Sequence, residues 1–134
     1  MMKVILSIIF LTIGGGIYVM QRPTGLLMFR IIDFLGLSDA VATLRASVMQ
    51  WPEFIVFSLP GGLWSASYVL LADAVLGHQS VAMRLSWGAL IPMIGVGSEL
   101  LQSVALCPGT PDALDAVCYG VPYLIYVVWV ILKK

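Results

Sequence analysis

Four long apolar stretches follow one another along the chain and are separated by short polar segments. A helix needs about 20 mostly apolar residues to cross a bilayer, because each residue adds about 1.5 Å to a span of about 30 Å. The stretches predict four membrane spans, at about residues 4–20, 54–76, 85–101 and 113–132. Pro60, Gly61 and Gly62 interrupt the second stretch, which predicts a break in that helix at residues 60–62. The main helix is expected to start at Ser58, Leu59 and Pro60, and the residues from Trp51 to Phe57 are expected to dip shallowly into the membrane beside it.

The segment between the first two stretches has a different pattern. Four charged residues are spread among its apolar ones and argue against a membrane crossing: Arg30, Asp33, Asp39 and Arg45. Ser38 followed by Asp39 is typical of a helix start. The apolar residues after them share one helix face: Val41, Leu44 and Val48. This pattern predicts an amphipathic helix that lies on the membrane surface.

Composition supports a membrane protein and narrows its function. Of the 134 residues, 60% are hydrophobic and 10% are charged, and the mean hydropathy is +1.02. Four spans leave no room for a separate soluble domain, which excludes a catalytic head outside the bilayer. The seven basic residues are dispersed and the net charge is zero, so the basic surface of a nucleic-acid-binding protein is missing. The predicted fold is all-α: residues 1–134 form a single polytopic four-helix transmembrane bundle with an amphipathic surface helix between spans one and two.

The chain has two cysteines. Cys107 and Cys118 have neither the spacing of a zinc site nor that of a disulfide framework, and we interpret them as small packing residues. No cofactor is expected.

Four spans place both termini on one side, which carries four basic residues: Lys3, Arg84, Lys133 and Lys134. The other side carries three: Arg22, Arg30 and Arg45. The positive-inside rule therefore predicts cytoplasmic termini.

The corner between the third and fourth spans carries the candidate site. Glu99 and Gln102 close one apolar stretch, and Asp112 and Asp115 open the next. Residues three apart share a helix face, so each pair points into one acidic crevice on the external side. Placing an ionisable group at the centre of a bilayer costs about 2.5 to 3.5 kcal/mol of free energy, so such groups usually face protein, water or a ligand. Thr110 as N-cap explains Asp112 as an ordinary helix start, whereas capping explains neither Glu99 nor Asp115. The structural alternative for these two is an ion pair with one of three arginines: Arg22, Arg30 and Arg45.

Such a crevice suits a polar headgroup, a divalent cation or a proton. Carboxylate and amide oxygens are the ligands of hard cations, so a metal there stays an open alternative. In this interpretation the break at Pro60, together with Trp64 and Tyr68, lines the apolar side. At the opposite membrane side, Asp73 is expected to reach the interface or to pair with Arg84.

The same corner carries a family resemblance. A Glu-x-x-Gln that ends one span, a Pro-Gly link and an Asp-rich opening of the last span resemble the VanZ-like family of small bacterial membrane proteins. The matching residues are Glu99, Gln102, Pro108, Gly109, Asp112 and Asp115, and the run 59–64 resembles a segment of small relatives. The family pattern commonly has arginine in place of Thr110, asparagine in place of Tyr119 and aspartate in place of Gly61. The resemblance implies a cell-envelope role in the bacterial inner membrane, since the founding member is associated with resistance to a glycopeptide antibiotic.

Three hypotheses about function follow from these observations. The first is a non-enzymatic protein that binds a lipid or a lipid-linked envelope precursor in the external crevice. The second is a structural or accessory subunit that packs against itself or another membrane protein through small residues: Gly14, Gly15, Gly16, Gly95, Gly97 and Ser98. The third is a metal-assisted enzyme that acts on a membrane-borne substrate through the carboxylates.

Overall fold

The computed structural model describes residues 1–133, over which the chain is α-helical with short connections. The helices are α1 (Met2–Gln21), α2 (Leu27–Phe34), α3 (Ser38–Ala46), α4 (Glu53–Phe57), α5 (Leu59–Leu76), α6 (Val81–Gly88), α7 (Leu90–Ser103) and α8 (Ala113–Leu132). Three helical stretches are long and apolar enough to cross a membrane: α1, α4 with α5, and α8. The pair α6 and α7, which is bent by 40°, makes a fourth if it counts as one span. The all-α class is confirmed, and so are three to four candidate spans.

Helix α5 lies at the centre, with α1 packed on one side, α8 on the other, and α7 against α8. Two serines join α1 to α5 reciprocally. The Ser7 hydroxyl donates to the Ser67 carbonyl at 2.8 Å, and the Ser67 hydroxyl donates to the Ser7 carbonyl at 2.8 Å. On the other side, the Ser65 hydroxyl donates to the Tyr119 carbonyl at 2.7 Å. Buried serines of α5 therefore fix both neighbouring helices in register, because a buried hydroxyl is costly without a partner.

The break in the second apolar stretch lies at Ser58, which agrees with the predicted helix start at Ser58 to Pro60, whereas residues 60–62 themselves are helical. Helix α4 ends at Phe57 and α5 begins at Leu59. Pro60 has no N–H to donate to the carbonyl four residues earlier, so the interruption comes before the proline and not after it. Gly61 and Gly62 belong to the first turn of α5.

The third predicted span, residues 85–101, is not one straight helix. Helix α6 ends at Gly88, and α7 begins at Leu90 in a direction that differs by 40°. Pro92 is the physical reason, since a proline cannot donate to the carbonyl of residue 88 and its ring crowds that turn. The ordered stretch extends from Val81 to Ser103 and exceeds the predicted limits at both ends.

Close helix approach depends on glycines that face aromatic rings. A Cβ built on Gly95 of α7 would lie 2.8 Å from Tyr119 Cδ2 and nearer still to Cγ, and one on Gly61 of α5 would lie 2.8 Å from Tyr119 Cζ. The ring of Tyr119 is thus held between two glycine backbones. A Cβ on Gly14 would lie 2.7 Å from Nε1 of Trp64. Of the predicted packing glycines, Gly14 and Gly95 make such contacts. Three others have nothing within 4 Å of the added atom among the described residues: Gly15, Gly16 and Gly97.

The segment after α1 forms two short helices, α2 and α3, where one amphipathic helix was predicted. Gly36, with φ of +69°, makes the turn between them, a conformation that glycine adopts at little cost. Arg45 of α3 donates to the carbonyls of Val19 and Arg22, the latter at 2.8 Å. The arginine therefore satisfies carbonyls at the C-terminal end of α1 and ties this segment to the bundle.

Candidate functional site

The acidic corner is organised around the start of α8. Glu99, 9% exposed, accepts a hydrogen bond through Oε2 from the Asp112 backbone N–H at 2.9 Å. Asp112 in turn accepts from the Leu114 N–H at 2.8 Å, which makes Asp112 the N-cap where Thr110 was predicted. Two carboxylates thus satisfy N–H groups that a helix start leaves without partners. The expectation that capping does not explain Glu99 is wrong.

Gln102 and Asp115 complete this corner. The Gln102 amide packs against the link at Gly109, where φ is +134° and an added Cβ would lie 2.8 Å from Gln102 Cδ. Asp115 is half-buried, and its Oδ1 has no hydrogen-bond partner among the described residues. The structure therefore brings all four predicted polar residues to the α7–α8 junction.

None of the three arginines predicted as partners makes an ion pair with these carboxylates among the described residues, and two of them bind carbonyls elsewhere. Arg22 donates to the Phe57 carbonyl at 3.2 Å, and its guanidinium carbon lies 4.6 Å from the centre of the Phe57 ring. Arg45 binds carbonyls at the end of α1. Within residues 1–133, no group of three histidine, cysteine, aspartate or glutamate side chains is arranged to hold a metal ion. The corner as described offers no preformed ligand set for a divalent cation.

The predicted apolar side of the site has a different arrangement. Trp64 packs against Tyr18 of α1, with ring centres 5.4 Å apart. The Tyr68 hydroxyl donates to the Trp87 carbonyl at 2.9 Å and so faces α6. Pro60 is fully buried in the first turn of α5. Trp64 and Tyr68 therefore contact different helices and do not form one continuous wall.

A second polar cluster lies at the opposite end of the bundle, around Asp73. This carboxylate is 2% exposed and makes ion pairs with Lys3 and Arg84. Arg84 donates to Oδ1 from Nε at 3.0 Å and from Nη2 at 2.6 Å, and the Tyr126 hydroxyl donates to the same oxygen at 2.7 Å. The predicted pairing of Asp73 with Arg84 is confirmed. The cluster joins α1, α5, α6 and α8 through one buried anion.

Three positively charged side chains at the Asp73 end of the bundle lie close to the ring of Trp129. The Lys3 ammonium lies 5.0 Å from the centre of its ring, the Lys133 ammonium 4.3 Å, and the Arg84 guanidinium carbon 6.0 Å. A cation within about 6 Å of an indole ring is attracted to its electron-rich face. One indole therefore holds three positive groups near a single carboxylate.

A groove of about 470 Å³ extends from this cluster between α1, α5 and α8. Its polar end is formed by Lys3, Asp73 and Trp129. The rest of its wall is mainly apolar: Met2, Leu6 and Phe10 of α1, Ala66, Val69 and Leu70 of α5, and Pro122, Ile125 and Tyr126 of α8. The volume lies within the range of about 300 to 1,000 Å³ that is usual for small-molecule sites. Sequence reasoning missed this groove; the lone charge of Asp73 inside the second span was the only signal for it.

A further groove, of about 560 Å³, lies between α2 and α3. Four charged or polar residues of these two helices line it: Arg30, Asp33, Ser38 and Arg45. Phe29 and Val41 are among its apolar residues. The four charged or polar residues lie on both helices, whereas the two charged residues of the groove beside Asp73, Lys3 and Asp73 itself, lie together at one end, as an amphiphile requires.

Comparisons with protein-family models, with curated proteins and with solved structures found no match for this chain. The resemblance to the VanZ-like family therefore stays a prediction.

Proposed function

We propose that the protein is a four-span protein of the bacterial inner membrane that binds a lipid or a lipid-linked amphiphile without catalysis. The positions of the two ends of the bent pair, α6 and α7, support its being counted as a fourth span. Arg84 of α6 binds Asp73 near the end of α5, whereas Glu99 of α7 binds the backbone of Asp112 at the start of α8. The pair α6 and α7 thus runs from one end of the bundle to the other.

The two short helices after α1 fit a position on the membrane surface. Their apolar side chains include several with large exposed fractions, and Phe34 is 90% exposed. The others are Leu27, Ile31, Leu35 and Leu44. Apolar groups in this number are costly in water and favourable in the outer part of a bilayer. We place α2 and α3 on the external face, as the sequence predicts for this segment.

The groove between α1, α5 and α8 is the observation that carries the proposed binding function. An amphiphile needs an apolar channel for its chain and a polar end for its headgroup. The groove has both, because its wall is mainly apolar and it ends at Lys3, Asp73 and Trp129. Glu99 and Asp112, by contrast, are engaged with backbone N–H groups of α8, which supports a structural role for the acidic corner.

Native mass spectrometry of the detergent-extracted protein tests this function. Leu70→Trp places a larger side chain in the groove, and Leu71→Trp is the matched control because Leu71 is exposed and outside the groove. We expect a lipid-mass adduct on the wild type and on Leu71→Trp, and its loss on Leu70→Trp. Equal adducts on all three proteins, or none on any, would contradict the proposed site.

A further inference from the structure

The two ends of the bundle carry opposite formal charges. At the end that holds Asp73, the described residues include three basic side chains, Lys3, Arg84 and Lys133, and one acidic one, which gives +2. The other end has three arginines and six acidic residues, which gives −3. Those acidic residues are Asp33, Asp39, Glu53, Glu99, Asp112 and Asp115. The groove opens beside the positive end.

We propose that the ligand of this groove is an anionic phospholipid whose phosphate lies at Lys3 and Lys133 beside Trp129. This inference rests on the proposed function and adds the chemical class of the headgroup. Asp73 neutralises one positive charge of the cluster, and two remain. A phosphate diester supplies the negative charge and the acceptor oxygens that the remaining ammonium groups need.

The two lysines have the capacity to bind a further anion. An ammonium group has three N–H donors, and Lys3 uses one of them on Asp73 while its side chain stays 39% exposed. Lys133 lies over the Trp129 ring and makes no ion pair with any residue in the described range 1–133. Both ammonium groups are therefore open to a headgroup at the mouth of the groove.

The shape of the groove fits a lipid chain that begins at this headgroup. Lys3, Asp73 and Trp129 lie at its polar end, and Phe10, Ala66 and Pro122 line its wall seven residues further along the same three helices. Seven residues of helix correspond to about 10 Å. The groove thus holds the first part of an acyl chain, while the remainder lies in the bilayer.

The position of the basic cluster in the membrane also favours an anionic phospholipid. Tryptophan and lysine at the end of a span are typical of the headgroup level, where Trp129 and Lys133 stand near the end of α8. A basic cluster near the cytoplasmic leaflet is attracted to anionic lipids. At the opposite end, the excess of carboxylates repels them, so the binding is restricted to one leaflet.

The test compares phosphatidylglycerol with phosphatidylcholine of identical acyl chains, each titrated onto delipidated protein in neutral detergent and counted by native mass spectrometry. Lys133→Gln removes one positive charge at the groove without breaking the Asp73 ion pairs. Arg30→Gln removes one at the opposite end and serves as the control. Each basic group near an anionic surface contributes about a fivefold gain in affinity. We therefore expect phosphatidylglycerol to bind at least about fivefold more tightly than phosphatidylcholine, and Lys133→Gln to lower that preference by about fivefold.

The outcomes separate this inference from the function on which it rests. Equal affinity for the two lipids, with both lost in Leu70→Trp, overturns the anionic headgroup and leaves the groove intact as a lipid site. A preference for phosphatidylglycerol that Lys133→Gln and Arg30→Gln reduce equally also overturns it. Binding that Leu70→Trp does not change contradicts the proposed function itself.

Discussion

Gly95→Ala places a methyl group where α7 meets the ring of Tyr119. The added carbon would lie 2.8 Å from Cδ2 and closer to Cγ, whereas carbon atoms pack best at about 3.5 to 4.0 Å. The ring has to move by at least about 0.7 Å, and it cannot move freely because Gly61 lies against its other end. Overpacking of this kind costs about 1 to 3 kcal/mol, and the better helix propensity of alanine returns up to about 1 kcal/mol.

Since the gain in helix propensity is shared by Gly97→Ala, we expect Gly95→Ala to be about 1 to 3 kcal/mol less stable than Gly97→Ala and to melt several degrees lower in detergent. The assay is thermal unfolding followed by intrinsic fluorescence. Gly97→Ala is the matched control, because an added Cβ there meets nothing within 4 Å and only the helix propensity changes. We expect this control to be neutral or slightly stabilising.

A double substitution tests the cause. In a Tyr119→Ala background the ring is gone, so Gly95→Ala should lose its cost, even though Tyr119→Ala alone is destabilising. The reasoning is refuted if Gly95→Ala and Gly97→Ala melt at the same temperature. It is also refuted if the cost of Gly95→Ala persists without the ring.

Three further predictions concern the two ends of the bundle. Asp73→Asn should destabilise the protein by about 3 kcal/mol, since Arg84 loses its buried counter-ion; unchanged thermal unfolding would contradict this. Glu99→Gln keeps an acceptor for the start of α8 and should stay close to the wild type, whereas Glu99→Ala should cost about 1 kcal/mol in the same assay; equal losses would argue against capping. With cytoplasmic termini, Cys107 in the α7–α8 link should react with an impermeant maleimide in spheroplasts. Cys107→Ser should abolish this labelling and Cys118→Ser should not, and labelling only after lysis would reverse the orientation.

Features that depend on residues close together in sequence were predicted well. The apolar stretches identified the long helices, and the start of the last one at Ala113 was predicted, although its N-cap is Asp112 and not Thr110. Pairing of Asp73 with Arg84 was also expected, because only eleven residues separate them. The bend between α6 and α7 was not predicted, because the effect of Pro92 falls on a carbonyl about one turn before it.

Contacts between distant residues could not be predicted from local pattern. Lys3 and Tyr126 bind Asp73 across 70 and 53 residues, and Tyr119 fits between Gly61 and Gly95 of two other helices. Neither arrangement has a signature in the spacing of residues, because each depends on the rotation and register of whole helices. Trp64 and Tyr68 illustrate the same limit, as both lie on α5 but face different neighbours.

The sequence by itself determined that this is an apolar, all-helical chain with three to four stretches able to cross a membrane, because hydropathy and helix length are properties of contiguous residues. Only the tertiary structure decided that the acidic corner caps α8 and that a groove opens beside Asp73. Both depend on which helices are neighbours. A carboxylate beside a free backbone N–H caps a helix, whereas a carboxylate between two cations forms ion pairs. The packing of the helices decides which of these neighbours it has.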